Sequence, residues 1–224
     1  SDAFPRSCWS SLEQRVEHNT KRLLEIFSDS GIRATFFVLG WVAERYPALV
    51  RTIHEEGHEV ACHGLSHSLI FEQGPDAFRK ETLRARKLLQ DICGAEISGY
   101  RAASFSITRK SIWALELLVE AGFRYDSSIV PARHDLYGIV DAPPRPCRIA
   151  LDGDCSIIEF PPSTVSILGW RIPIAGGGYF RLFPYWFSQW GMRKVNRDEL
   201  QPFAFYLHPW EIDADQPKAE IGLK

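Results

Sequence analysis

Apolar positions along the chain alternate between two rhythms. Leu12, Val16, Leu23 and Phe27 share one face at helical spacing, and the segment stops at Gly31. Ala34-Thr-Phe-Phe-Val-Leu39 follows, short, apolar and rich in strand formers. A helical pattern over about 41–56 stops at Gly57 and leads to the strand pattern Glu59-Val-Ala-Cys62. A third helical pattern opens at Pro75, runs to about Ile92, stops at Gly94 and leads to Ile97–Tyr100. A fourth, about 108–121, stops at Gly122 and leads to Phe123–Tyr125. Each glycine suits the left-handed position that closes a helix.

Helix and strand therefore alternate, which predicts parallel strands joined by helical crossovers. The rhythm then loosens. Residues 131–155, rich in Pro, Asp and Gly, read as a long loop, and Ile157–Phe160 as a strand. The glycine run of 175–182 reads as a strand edge over 178–182, Pro184–Asn196 as a helix with Trp186 and Trp190 on one side, and Phe203–Leu207 as a strong final strand. About seven strands result. The fold class expected is α/β, a distorted (β/α) barrel, because no G-x-G-x-x-G follows an early strand as a dinucleotide-binding sheet would require. Residues 1–212 are expected to form one domain and 213–224 a polar tail.

With 224 residues the chain has the length of one large domain, at roughly 150 residues per domain. The 26 basic and 28 acidic residues give a net charge of −2, so binding through phosphate neutralisation, and with it a nucleic-acid partner, is disfavoured. No apolar run reaches the roughly 20 residues that span a bilayer. No basic-then-apolar leader opens the chain, which sets the expected location in the cytoplasm, with the periplasm as the alternative. Five cysteines without a C-x-x-C pair argue for free thiols, Cys147 and Cys155 alone being near enough to pair across a loop.

The candidate chemistry lies just after the strands. His63 and His67 follow 59–62, Arg101 follows 97–100, Asp126, Ser127 and Ser128 follow 123–125, and His208 follows 203–207. In a parallel barrel these ends share one face, where barrel enzymes keep their sites. On one helical turn, the i, i+4 spacing of His63 and His67 puts two imidazoles on one side, as a metal requires. His208, stiffened by Pro209 and flanked by Trp210, suits a general acid or base. Gly176-Gly177-Gly178 lacks the Gly-Lys-Ser/Thr ending of a phosphate loop and reads as a close backbone approach.

The set Thr35-Phe-Phe-Val38, His63-Gly-Leu-Ser-His67, Arg101-Ala-Ala-Ser104, Tyr125-Asp-Ser-Ser128 and Leu207-His-Pro-Trp210 resembles the polysaccharide deacetylases, the NodB-homology proteins of carbohydrate esterase family 4. Phe37–Tyr46, Ser104–Thr108, Ala175–Phe180 and His208–Ile212 are similar, more narrowly, to the branch found beside exopolysaccharide and exosortase (PEP-CTERM) loci. The resemblance implies a divalent metal, usually zinc, and hydrolysis of N-acetyl groups on the amino sugars of a polysaccharide or oligosaccharide, here a bacterial exopolysaccharide or its precursor. It makes His63 and His67 metal ligands, His208 the general acid and Arg101 the residue that orients a catalytic aspartate. Trp210, Tyr179 and Ser104 become substrate-binding candidates. Relatives that open small cyclic amides, allantoinase-like, and non-catalytic sugar-binding relatives are the alternatives. Two departures stand out. The family's opening strand, whose aspartates supply the third ligand and the base, is expected upstream of Ser1, between 34–39 and 203–207. Ala103 replaces a proline, which is expected to loosen the loop behind Arg101.

Overall fold

In the computed structural model, residues 6–134 and 137–217 are described. They divide into two compact units, one of 6–33 with 207–217, the other of 34–206. The smaller unit holds a 3-10 turn (Arg6–Ser11), helix α1 (Val16–Asp29) and a second 3-10 turn (Pro209–Ile212). The first helix thus starts at Val16 and leaves Leu12 outside it. Arg15 grips Asp213 with two parallel bonds, Nε to Oδ2 at 2.5 Å and Nη2 to Oδ1 at 2.8 Å, and Asn19 Nδ2 adds a third at 2.9 Å. This bidentate guanidinium holds the Asp213 carboxyl well below the usual carboxylate range. Asp213, the first residue of the segment read as a tail, is anchored to the start of α1; 218–224 lie outside the described residues.

The larger unit runs β1 (Thr35–Val38), α2 (Gly40–Arg45), α3 (Pro47–Glu55), β2 (Glu59–Cys62), α4 (Ile70–Gln73), α5 (Pro75–Cys93), β3 (Gly99–Tyr100), α6 (Ala114–Glu120), β4 (Tyr125–Asp126), β5 (Cys147–Ala150), β6 (Ser156–Glu159), β7 (Thr164–Ile167), β8 (Trp170–Pro173), α7 (Gly177–Leu182) and α8 (Tyr185–Arg193). Six strands form one sheet in the order β1-β2-β3-β4-β6-β5, parallel from β1 through β6, with β5 antiparallel on β6. The fold is α/β with a mostly parallel sheet, as the alternation predicted. Among the described residues β1 pairs with β2 alone. No helix among them is long and apolar enough to cross a membrane.

The predicted helix over 41–56 divides at Pro47. Proline disfavours a helical conformation in the residue before it, and Tyr46 takes φ −126°, ψ 54°. Helix α5 buries Phe78, Thr82, Ala85 and Leu89, one face at spacings of four, three and four, and ends on Gly94 at φ 63° as expected. The Phe78 ring meets Tyr100 and Trp113 edge-on at 5.8 and 5.7 Å, tying α5 to the sheet. The interior of β2, Val60, Ala61 and Cys62, is buried throughout, as in a parallel strand covered on both faces.

Three readings of the second half are corrected. The loop expected over 131–155 contains β5, whose Cys147 pairs in register with Glu159 of β6 and not with Cys155; no two cysteines form a disulfide among the described residues. The strand expected over 178–182 is helix α7, entered from an extended Gly176. Among the described residues the strand expected over 203–207 makes one bridge, Tyr206 to Gly176, with Tyr206 N donating to Ala175 O at 2.8 Å and Gly177 N to Tyr206 O at 2.9 Å. Ala204 N donates to Ser163 Oγ at 2.8 Å and Ser163 N to Ala204 O at 3.5 Å, and no ladder builds among the described residues. The β7–β8 hairpin was not anticipated. It turns on Leu168 and Gly169, both at positive φ, and a leucine there hides the Asn-Gly signature of such turns.

Candidate active site

His63 leaves the end of β2 with its N–H bonded to Val38 O at 2.9 Å. The segment to His67 is a loop, not the helical turn inferred from the spacing: Gly64 and His67 both adopt positive φ, 77° and 55°. The imidazoles still meet, ring centroids 5.2 Å apart and planes at 73°. The loop is fastened on two sides. Gly40 N and Trp41 N donate to Gly64 O and Leu65 O at 2.8 and 3.1 Å, and Ser66 Oγ donates to Glu81 Oε2 of α5 at 2.5 Å. Behind it lies a cavity of about 10 Å³, room for one water, into whose lining Gln73 brings a buried Oε1 without a protein partner.

Arg101, after β3, is tied to the first histidine through its backbone. His63 Nδ1 lies 2.7 Å from Arg101 O. A carbonyl only accepts, so Nδ1 carries the proton and Nε2 keeps its lone pair, the tautomer of a metal-ligating histidine. The Arg101 side chain turns the other way. Nε donates to Ser127 O at 3.0 Å and Nη2 to Ser127 Oγ at 2.6 Å, and the guanidinium lies 4.1 Å over the Phe37 ring of β1. Desolvation pulls its pKa down to about 10 against the upward pull of Asp126, so it stays cationic at neutral pH.

The turn that carries Ser127 is pinned by two buried acids. Asp126 and Glu159 are register partners on β4 and β6, and paired residues of parallel strands point to one face. Asp126 accepts from Ser128 Oγ at 2.6 Å and Ser128 N at 3.2 Å. Glu159 Oε1 accepts from Ile129 N at 3.0 Å, and its Oε2 is buried without a donor. Burial and the Asp126 charge raise Glu159 well above the carboxylate range, which makes Glu159 the member of the pair that keeps its proton. The turn is completed by Ala102 N on Ser128 Oγ at 2.8 Å and Ser127 Oγ on Phe160 O at 2.6 Å.

Among the other predicted residues, Ser104 is exposed in a left-handed conformation, φ 50°. The loop around it is fastened through Ser106, whose Oγ donates to Ala103 O at 2.6 Å and accepts from Ile70 N at 3.0 Å. Tyr179 reaches Tyr137, Oη to Oη 3.4 Å, and Tyr137, Phe105 and Tyr206 continue a run of rings to the Arg101 guanidinium, 5.7 Å from Tyr206. His63, His67, Arg101, Ser104 and Tyr179 belong to the larger unit; His208 and Trp210 belong to the smaller. There the His208 ring stacks on Trp210 at 4.0 Å, and Glu211 Oε2 accepts from His208 N at 2.8 Å and lies 3.5 Å from Nδ1. Sequence reasoning did not single out Glu159; its signal was an acid inside an otherwise apolar strand.

The histidine pair fits a metal. Two imidazoles ligating one ion at about 2.0–2.1 Å place their ring centroids about 5 Å apart. Among the described residues no third His, Cys, Asp or Glu completes a cluster of three.

Residues 5–125 match the polysaccharide deacetylase family and residues 127–224 a domain of unknown function, DUF3473. The chain is 31% identical to a peptidoglycan-N-acetylglucosamine deacetylase of Bacillus cereus over 75 residues, 34% of this chain and 27% of that protein. It is 30% identical to a peptidoglycan deacetylase of Helicobacter pylori over 109 residues, 49% of this chain and 36% of that one. The chain thus spans well under half the length of these two relatives. A polysaccharide deacetylase homologue of Mycobacterium smegmatis superposes with a TM-score of 0.63 at 27% identity, covering 86% of this chain and 64% of that one. With the matched region extending over more than half of its residues, the chain belongs to the polysaccharide deacetylase family.

Proposed function

We propose that this chain is the deacetylase domain of a metal-dependent amidohydrolase that removes N-acetyl groups from amino sugars, and that its substrate is a bacterial exopolysaccharide or its precursor. One observation carries the reading: His63 and His67 face each other at 5.2 Å, with His63 locked by Arg101 O in the tautomer that presents Nε2. The relatives, named for peptidoglycan and N-acetylglucosamine deacetylation, support the reaction class. The exopolysaccharide substrate rests on the narrower resemblance of Phe37–Tyr46, Ala175–Phe180 and His208–Ile212 to the exosortase-locus branch.

His63 and His67 would hold the metal, zinc by the softness and number of these donors. Such an ion polarises an acetyl oxygen and lowers the pKa of bound water. The protein's own part is electrostatic and positional. Arg101 supplies a fixed cation that Ser127 holds in one orientation, a source of preorganised field for a carboxylate or a developing oxyanion. His208 gives a proton to the departing amine, with Glu211 set beside Nδ1 to hold its ring. The aromatic run from Tyr179 to Tyr206 and the face of Trp210 are suited to stacking on sugar rings. Acetate release from an N-acetylglucosamine oligomer by the full-length protein, abolished by a chelator and restored by zinc, is the deciding test. Release that ignores the chelator would overturn the metal, and no release from zinc-loaded protein on either glycan oligomers or exopolysaccharide would overturn the substrate class.

A further inference from the structure

Helix α8 packs with its small residues inward and its large ones outward. Ser188 and Gly191 are buried, and Val195 continues their line in the turn that follows, spacings of three and four that define one helix face. Gly191 is where Ile174 enters: a Cβ there would lie 2.6 Å from Ile174 Cδ1. Trp186, on the opposite side, is 68% exposed, Tyr185, on the flank, 67%, and Leu182, at the end of α7, 73%. A surface helix ordinarily does the reverse. The rings of α7 and α8 form two groups, one around Phe187 and one around Phe180. Trp186 meets Phe187 at 5.9 Å, Phe187 meets Trp190 at 5.5 Å and Phe183 at 5.0 Å, and Phe180 meets Tyr185 and the exposed Phe205 at 6.1 and 5.7 Å.

Charge decides what such a face fits. Residues 181–199 contain four basic side chains, Arg181, Arg193, Lys194 and Arg197, against two acidic ones, Asp198 and Glu199, at the far end of the segment, a local excess of two positive charges in a chain whose net charge is −2. Lys194 Nζ lies 5.8 Å over the Trp190 ring. A neutral glycan would draw no benefit from the cations. Tryptophan and tyrosine flanked by arginine and lysine make up the composition that settles at the headgroup layer of a bilayer. The rings stand on a convex helix, a shape that suits a surface able to deform around it. We propose that the α7–α8 face attaches this protein to an anionic phospholipid bilayer, with Leu182, Tyr185 and Trp186 in the headgroup layer and the basic side chains on the lipid phosphates. The attachment is peripheral, and it does not depend on the catalytic reading.

Sedimentation of the full chain with vesicles tests this. Vesicles of phosphatidylcholine mixed with phosphatidylglycerol should take up the protein on the order of tenfold more strongly than phosphatidylcholine alone. Leu182→Ser with Trp186→Ser should lose that uptake with an unchanged far-ultraviolet spectrum, while Trp186→Phe retains it. Arg193→Gln with Arg197→Gln should weaken the anionic preference alone. If the double serine variant fails to fold, Tyr185→Ser gives the same reading. Absence of uptake at low salt overturns the proposal, as does uptake indifferent to the serine substitutions. A dimer that Leu182→Ser with Trp186→Ser splits, without vesicle binding by the wild type, overturns it in favour of a self-interface.

Discussion

Asp126 and Glu159 stand side by side on β4 and β6, both buried, and burial together with the Asp126 charge raises Glu159 well above the carboxylate range. Glu159 is the neutral acid in the folded chain. On unfolding it returns to an ordinary carboxyl and releases its proton. Between the unfolded and the folded pKa the native state therefore binds more protons than the unfolded one, and stability falls as pH rises, by up to about 1.4 kcal/mol per pH unit. Glu159→Gln keeps a neutral side chain beside Asp126 and removes the titration. Urea unfolding across mildly acidic to mildly alkaline pH should show wild-type stability declining and the variant flatter, gaining on wild type as pH rises. Equal slopes would show that Glu159 is not the proton carrier.

Arg101 depends on the fork of its guanidinium. Lysine at this position supplies the charge but not the two bonds to Ser127 O and Oγ. At about 1.5–3 kcal/mol for hydrogen bonds from a charged donor, Arg101→Lys should lower kcat/KM for deacetylation by roughly 10–100-fold. Ser127→Ala, which removes one of those bonds, should fall between the two. Steady-state kinetics on a soluble N-acetylated oligosaccharide measure both; an Arg101→Lys enzyme with near-normal kcat/KM would leave the arginine no orienting role.

Metal uptake should depend on both imidazoles. In calorimetric titration with zinc, His63→Ala and His67→Ala should each abolish binding of the stoichiometric ion, whereas His54→Ala, remote in sequence on α3, leaves it unchanged. Zinc bound equally by His67→Ala would move the metal away from this pair.

His208 carries the leaving-group proton in the proposed mechanism. His208→Ala in the full-length protein should slow turnover by about 10²–10⁴ while leaving zinc binding intact. Glu211→Gln, which removes the carboxylate 3.5 Å from Nδ1, should give a smaller loss and a shifted pH profile. Unaltered turnover in His208→Ala would remove it from the mechanism.

The first half of this fold was legible because glycines punctuate it. Gly31, Gly57, Gly94 and Gly122 all take positive φ where helix gives way to strand. The second half lacks such marks. Gly177-Gly-Tyr-Phe holds no good helix former, yet it is helical, and Phe203–Leu207 has strand composition but one bridge to pair with among the described residues. In Leu168–Gly169 the turn is set by tertiary context against the preference of leucine. The histidine pair was legible from spacing, though a left-handed loop brings it together where a helix was inferred. In Ile157-Ile-Glu159 nothing in the sequence says which isoleucine faces inward. The structure buries Ile157 and leaves Ile158 40% exposed, and strand alternation then carries Glu159 inside.

Gly176 offers a test of how the aromatic run beside Arg101 is held. Its backbone is extended, φ −91° and ψ 149°, so alanine suits the conformation. The constraint is space. A Cβ would lie 2.6 Å from Tyr206 Oη and 2.7 Å from Cζ, closer than packed atoms come. Tyr206 in turn packs on Phe105 at 5.1 Å and makes the bridge that fastens 203–207. Gly176→Ala must therefore push the ring away from Phe105 and Arg101, at a cost of about 1–3 kcal/mol. Tyr206→Leu alone removes ring contacts and is also destabilising, but it vacates the space the new methyl needs. The double variant should be more stable than the sum of the two losses implies, with a coupling of about 1 kcal/mol or more. Strict additivity in denaturant unfolding would mean that close approach of the tyrosine is not what requires glycine here.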